Sequence, residues 1–118
     1  MIERVWLART TRDGATKYAE HFRRVVMPEL AAIAGYRGAR LLERELNGGI
    51  EIVVVTHWQT IDAIRAFAGE EIDRAVVHDE AAVLFSDYDR KVKHYRVVDD
   101  YSGGITAIAS VSGPSISS

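Results

Sequence analysis

Cysteine is absent from the 118 residues. That excludes disulfide staples, thiolate nucleophiles and zinc sites built on sulfur. A basic excess is missing too: 15 Lys and Arg stand against 17 Asp and Glu, a net charge of -2. A surface that tracks phosphates needs clustered cations, so nucleic acid is not an expected partner. Apolar runs stay short, and Ile52-Val53-Val54-Val55 falls far below the roughly 20 residues a membrane helix requires. Met1-Ile2-Glu3-Arg4-Val5-Trp6 has neither the basic start nor the long apolar stretch of a signal peptide. A cytoplasmic protein with no membrane partner is expected. The four histidines show no His-Glu-x-x-His spacing, so no metal site is expected either.

What is present reads as one small α+β domain over residues 1–98. Ile2 to Thr10 alternates with apolar residues on both faces, a strand covered on two sides. Thr11-Arg12-Asp13-Gly14 follows as a turn, with Asp13 available to cap a helix. From Ala15 to Ala34, Tyr18, Phe22, Val25, Val26, Leu30 and Ile33 form one apolar stripe. Pro28 should kink that helix near Val25, and Gly35 should stop it. Arg37 to Leu46 and Ile50 to Trp58 are strands joined by Asn47-Gly48-Gly49, a hairpin signal because these residues accept positive φ. Thr60 caps a second helix with Ile61, Ile64 and Phe67 as its apolar face, ended by Gly69. Glu70 to Phe85 reads as broken helix with a second cap at Asp79. Ser86 to Asp89 reads as a turn and Lys91 to Val98 as the last strand.

The order is βαββαβ, a ferredoxin-like sandwich. Two helices cover one sheet face. Trp6, Ala8, Ile52 and Val54 share one face, while Val5, Leu7, Val53 and Val55 share the other, so the uncovered face is apolar as well. A second copy packed sheet to sheet would cover it, which predicts a homodimer. Residues 99–118 form a separate tail, half Gly, Ser and Pro. Ile105 to Val111 could be a short strand there, and the tail is expected to contact a partner chain.

His57 to Gly69, Arg74-Ala75-Val76-Val77, Phe85-Ser86-Asp87-Tyr88-Asp89 and Val92-Lys93-His94-Tyr95 together resemble segments of the antibiotic biosynthesis monooxygenase family of dimeric α/β barrels. Met27-Pro28-Glu29-Leu30, leading to Gly35-Tyr36-Arg37-Gly38, is similar as well. The resemblance spans about residues 2 to 98. It implies a pocket between the helices and the sheet, and oxidation of small aromatic, quinol-type compounds without cofactor. It also implies a base for a phenol and donors for the resulting anion. The heme-degrading branch carries an Asn on the first strand, a Trp in the second helix and a ligating His after it. Here those positions match Leu7, Phe67 and Val77, with His78 one residue beyond, which argues against heme degradation.

Leu7, Phe22, Trp58, Phe67 and Val77 are the expected pocket walls. His78 and His94 are the candidate bases, since an unperturbed imidazole titrates near neutrality. Each has a plainer reading: His78 as a solvated loop residue, His94 as a structural hydrogen-bond partner, Trp58 as packing. His21 and His57 read as surface or boundary residues. Arg9, Arg40 and Tyr36 could hold an anionic or phenolic ligand or simply end a strand. The competing function is a non-catalytic, small-molecule-binding or stress-associated dimer on the same scaffold.

Overall fold

The computed structural model describes residues 1–101. The expected tail strand at 105–111 lies outside them. β1 (Ile2–Thr10), β2 (Tyr36–Leu46), β3 (Gly49–Trp58), β4 (Phe85–Tyr88) and β5 (Lys93–Arg96) form one antiparallel sheet. The spatial order is β2-β3-β1, with β4 and β5 both on the free edge of β1. β4 pairs with Ala8–Thr10 and β5 with Ile2–Val5. This is the expected ferredoxin-like topology, with the last strand split in two.

Ser86 to Asp89 is therefore mostly strand and not a turn. Thr10 Oγ1 donates to the Leu84 carbonyl at 2.5 Å, Ser86 Oγ donates to the Arg9 carbonyl, and Trp6 Nε1 donates to the Asp89 carbonyl at 2.8 Å. Phe85 and Tyr88 meet Trp6 with ring centroids 5.4 and 6.1 Å apart. Such contacts outweigh the turn propensity of Ser and Asp.

Helix α1 (Arg12–His21) is capped by Thr11, whose hydroxyl accepts from the Gly14 N–H at 3.0 Å. Asp13, the residue expected to cap, sits two residues past the cap, in the first turn, and pairs with Lys17 at 3.0 Å. A π-helical turn (Phe22–Val26) leads into α2 (Met27–Ala31). There the Met27 N–H reaches back five residues to the Phe22 carbonyl. Pro28 is the cause we assign: it has no N–H, and its ring needs the carbonyl four residues earlier moved aside. The disturbance falls where the sequence places it, as a bulge within one continuous helical run.

Helix α3 (Ile61–Ala68) is capped by Thr60, which accepts from the Ala63 N–H at 3.1 Å. Ala63 and Ile64 are its buried residues, with Phe67 half-buried. Ile61 faces solvent at 37% exposure, unlike its expected place in the core. Gly35 lets this helix approach: a Cβ there would come within 2.6 Å of the Ala63 Cβ, and its φ of 94° is itself costly for other residues. Residues 70–78 are not helical. Only α4 (Asp79–Ala82) forms, and its N-cap is His78 rather than Asp79. Arg74 bridges to Lys91, and the Val92 N–H donates to the Asp73 carbonyl at 2.7 Å, so the segment spends its backbone on the connection between β4 and β5.

The core lies between the helices and the inner sheet face. Cross-strand partners share a face, and the register puts Arg4 opposite Thr56, Trp6 opposite Val54 and Ala8 opposite Ile52. All six are buried. Val5, Leu7 and Val53 point the other way and stay half-exposed.

Candidate functional site

A cavity of about 50 Å³ remains between the helical layer and the sheet. β1 supplies Arg4 and Trp6, β3 supplies Val54 and Thr56, and the helical run supplies Tyr18, Phe22, Val26 and Leu30. Phe67, Val76 and Val92 close it. The π-turn matters here because it carries Phe22 and Val26, its first and last residues, into the wall.

The polar group of this wall is Arg4, only 5% exposed. Its Nη1 donates to the Ile72 carbonyl at 2.5 Å, and its Nη2 to the Arg74 carbonyl at 2.8 Å. The same Nη1 lies 3.0 Å from His94 Nε2. Its guanidinium also sits 5.6 Å from the Phe67 ring centre, within cation–π range. Burial lowers its pKa to about 10, partly offset by the nearby Asp73 carboxylate. It stays charged at neutral pH.

This contact fixes the state of His94. Arginine can only donate, so His94 Nε2 must accept, and the ring proton sits on Nδ1. Nδ1 faces Asp73 Oδ1 at 3.2 Å. Desolvation and then the Arg4 charge lower the His94 pKa, against the opposing pull of Asp73. The result is a neutral imidazole in an Asp73–His94–Arg4 chain that ends at the cavity.

The other candidates are placed as follows. Phe22 and Phe67 line the cavity. Trp58 is fully buried behind it, donates to Thr56 Oγ1 at 2.8 Å, and packs against Tyr36 and Phe67 at 5.7 Å. Leu7 lies on the opposite sheet face and does not reach the cavity, because it is out of phase with Arg4 and Trp6. Val77 lines a separate, larger groove of about 730 Å³ bounded by residues 70–75 and 88–91. His78 Nε2 is held by Glu29 at 3.0 Å, and its ring lies 5.5 Å from that of His21. Burial and the neighbouring His78 lower the His21 pKa, and its Nε2 is buried without a hydrogen-bond partner. His57 pairs with Glu3 and Arg9 with Asp87 on the far face. Arg40 is on that face as well, and the Tyr36 hydroxyl points to Met27 Sδ.

Arg4, Tyr18, Thr56 and Asp73 were not among the sequence candidates. For Arg4 a signal existed: it falls in phase with Trp6 and Ala8, and so on the buried face. Asp73 carries no such signal, since its role depends on where an irregular loop lands.

An antiparallel sheet with helices on one face, and a small aromatic cavity between them, defines a ferredoxin-like α+β protein with an internal cavity. The model of the antibiotic biosynthesis monooxygenase family matches residues 1–78, and the chain belongs to that family. Among solved structures, a mutant of MhuD with two manganese protoporphyrin IX molecules bound per active site shares the fold. Its TM-score is 0.56 at 20% identity, over 87% of this chain and 100% of that one. No curated protein matches. Neither the cavity nor the groove is lined by a histidine, so neither offers an imidazole ligand to a porphyrin-bound iron. Among the described residues no helix is long and apolar enough to cross a membrane.

Proposed function

We propose that the chain is a cofactor-free monooxygenase-like protein acting on a small aromatic, quinol-type compound at the Arg4 cavity. The observation that carries this reading is a buried guanidinium at an aromatic wall, next to an imidazole whose other nitrogen is held by a carboxylate. A phenolic hydroxyl placed against Arg4 would take the guanidinium away from His94. Its Nε2 lone pair is then free to accept the phenol proton, and Asp73 stabilises the imidazolium that forms. Arg4 holds the phenolate in a dry site. The electron-rich ring carbon then takes up O2, and the resulting hydroperoxide loses water. The net change of CH2 and O2 into C=O and H2O needs no outside reductant. In this scheme His94 is the base. His78, tied to Glu29, holds α4 against α2.

The test is oxygen uptake by the purified protein with anthrone-type and hydroquinone substrates. Uptake that falls roughly 100-fold or more in His94→Gln fits general-base action. Tight binding with no uptake above buffer across the panel would end the oxygenase reading. A second reading has an observation of its own: the His94 lone pair is already occupied by Arg4 and the cavity is small. It describes a binding dimer without chemistry, and the same assay separates the two.

We propose further that two copies pair through their open sheet faces. Val5, Leu7 and Val53 remain half-exposed there in a single chain, and Leu42 and Tyr95 are 43% and 53% exposed. Glu3, Arg9, Arg40 and Arg44 ring the patch with both signs of charge, which suits a face that must meet itself.

A further inference from the structure

We propose that the Arg4 cavity and the groove beyond residues 70–75 are two lobes of one ligand site, parted by a loop that Arg4 latches, and that a flat aromatic bearing an anionic oxygen opens the partition by drawing Arg4 off the loop carbonyls. The inference rests on reading the cavity as the substrate site. It adds the charge of the ligand and the way in.

The cavity alone is too small for a ring system at about 50 Å³, whereas ligand pockets usually span roughly 300–1,000 Å³. The groove, at about 730 Å³, lies inside that range. What stands between them is the 70–77 segment: Val76 faces the cavity, while Ile72, Ala75 and Val77 line the groove. Arg4 belongs to the cavity wall, yet two of its hydrogen bonds end on the carbonyls of Ile72 and Arg74, both groove residues. The guanidinium is the tie across the partition.

The exchange is chemically favourable. A carboxylate or phenolate makes a charge-assisted, two-pronged bond to guanidinium, roughly twice as strong as a bond to a neutral carbonyl. No buried charge is stranded, because the ligand anion replaces the carbonyls. The freed carbonyls can reach water, since Arg74 is exposed and Ile72 is partly so. The Ala75 N–H donates to the Arg90 carbonyl at 2.9 Å and the Val92 N–H to the Asp73 carbonyl at 2.7 Å; with Arg4 withdrawn these bonds open more often, so the loop loosens transiently and returns to its place. The groove walls carry both signs of charge, Glu70, Glu71 and Asp73 against Arg74, Arg90 and Lys91. Selection for an anion therefore falls to Arg4.

The experiment uses the whole chain with 2-naphthoate and its uncharged methyl ester, followed by calorimetry and by amide hydrogen exchange over residues 70–78. Naphthoate should bind and speed exchange there at least about tenfold, since local opening sets that rate. The ester should do neither. In Arg4→Met, exchange should be fast without ligand and naphthoate affinity should drop at least about tenfold. Binding with unchanged or slower exchange, equal behaviour of the ester, or no naphthoate binding at millimolar concentration would each overturn the proposal. The wild-type pair decides the matter even if the variant misfolds. Loop opening without oxygen uptake would retire the oxygenase reading and keep the latch; uptake with a silent loop would do the reverse.

Discussion

Replacing Arg4 by Met tests the centre of the argument. Methionine keeps most of the aliphatic stem, so the cavity grows little and the change is mainly electrostatic. Three contacts go: those to the Ile72 and Arg74 carbonyls and to His94 Nε2. Hydrogen bonds from a charged donor contribute about 1.5–3 kcal/mol each, and relief of the buried charge offsets part of that sum. A net loss of about 2–3 kcal/mol is expected in urea unfolding. The same variant gives a second, independent signal. The Arg4 charge holds the His94 pKa down while Asp73 pulls it up. With the cation removed and the carboxylate kept, the pKa must rise, and NMR titration of the imidazole protons reads it directly. Unchanged stability together with an unmoved or falling His94 pKa would show that the chain of contacts does not exist in solution.

Three further outcomes are expected. Leu30→Ala should cost about 3–4 kcal/mol, in the upper part of the usual range, because Leu30 is 1% exposed and already borders a void that cannot collapse; a loss below about 1.5 kcal/mol in urea melts would mean the helical run repacks. Acid should destabilise the protein: the folded pKa values of His94 and His21 both lie below the ordinary 6.5, so the unfolded chain takes up protons first and stability falls once the pH drops below about 6.5. Melts at pH 7.5 and 5.5 check this, and higher stability at pH 5.5 would contradict it. Leu7→Glu on the open sheet face should leave the circular dichroism unchanged and halve the mass seen by light scattering; a mass that is already monomeric in the parent would refute pairing through that face.

Regular elements were legible because their signals are local. β1, the Asn47-Gly48 hairpin with φ of 52° and 80°, and the Thr60 cap follow from alternation, turn chemistry and capping. The misreadings lie where tertiary contacts decide. Residues 70–78 have good helix formers in Glu71, Arg74 and Ala75, yet the structure spends the Ile72 and Arg74 carbonyls on Arg4 and the Ala75 amide on the Arg90 carbonyl. Ser86 to Asp89 carries turn residues and becomes strand because Trp6 needs aromatic neighbours on that edge. Leu7 was expected in the pocket by position along β1. A one-residue step in a strand changes the face, so Trp6 and Arg4 line the cavity in its place.

The two ends of the Arg4 contact differ in rigidity, and that difference bears on function. Arg4 is held by strand register on both sides, opposite Thr56 in β3 and opposite His94 in β5. Its direction is therefore set by the sheet. Two of its acceptors belong to a loop whose Glu71, Asp73 and Arg74 face solvent. A guanidinium needed only for stability would more simply be replaced by an apolar side chain, since burying a charge beside Phe67 and Trp6 costs free energy that neutral carbonyls only partly return. A donor fixed on rigid strands, facing a cavity and holding replaceable acceptors, is instead what recognition of an anionic group requires. The His94 imidazole extends the same logic, because Asp73 sets its tautomer before any ligand arrives. Binding can then exchange partners around Arg4 without first ordering the site.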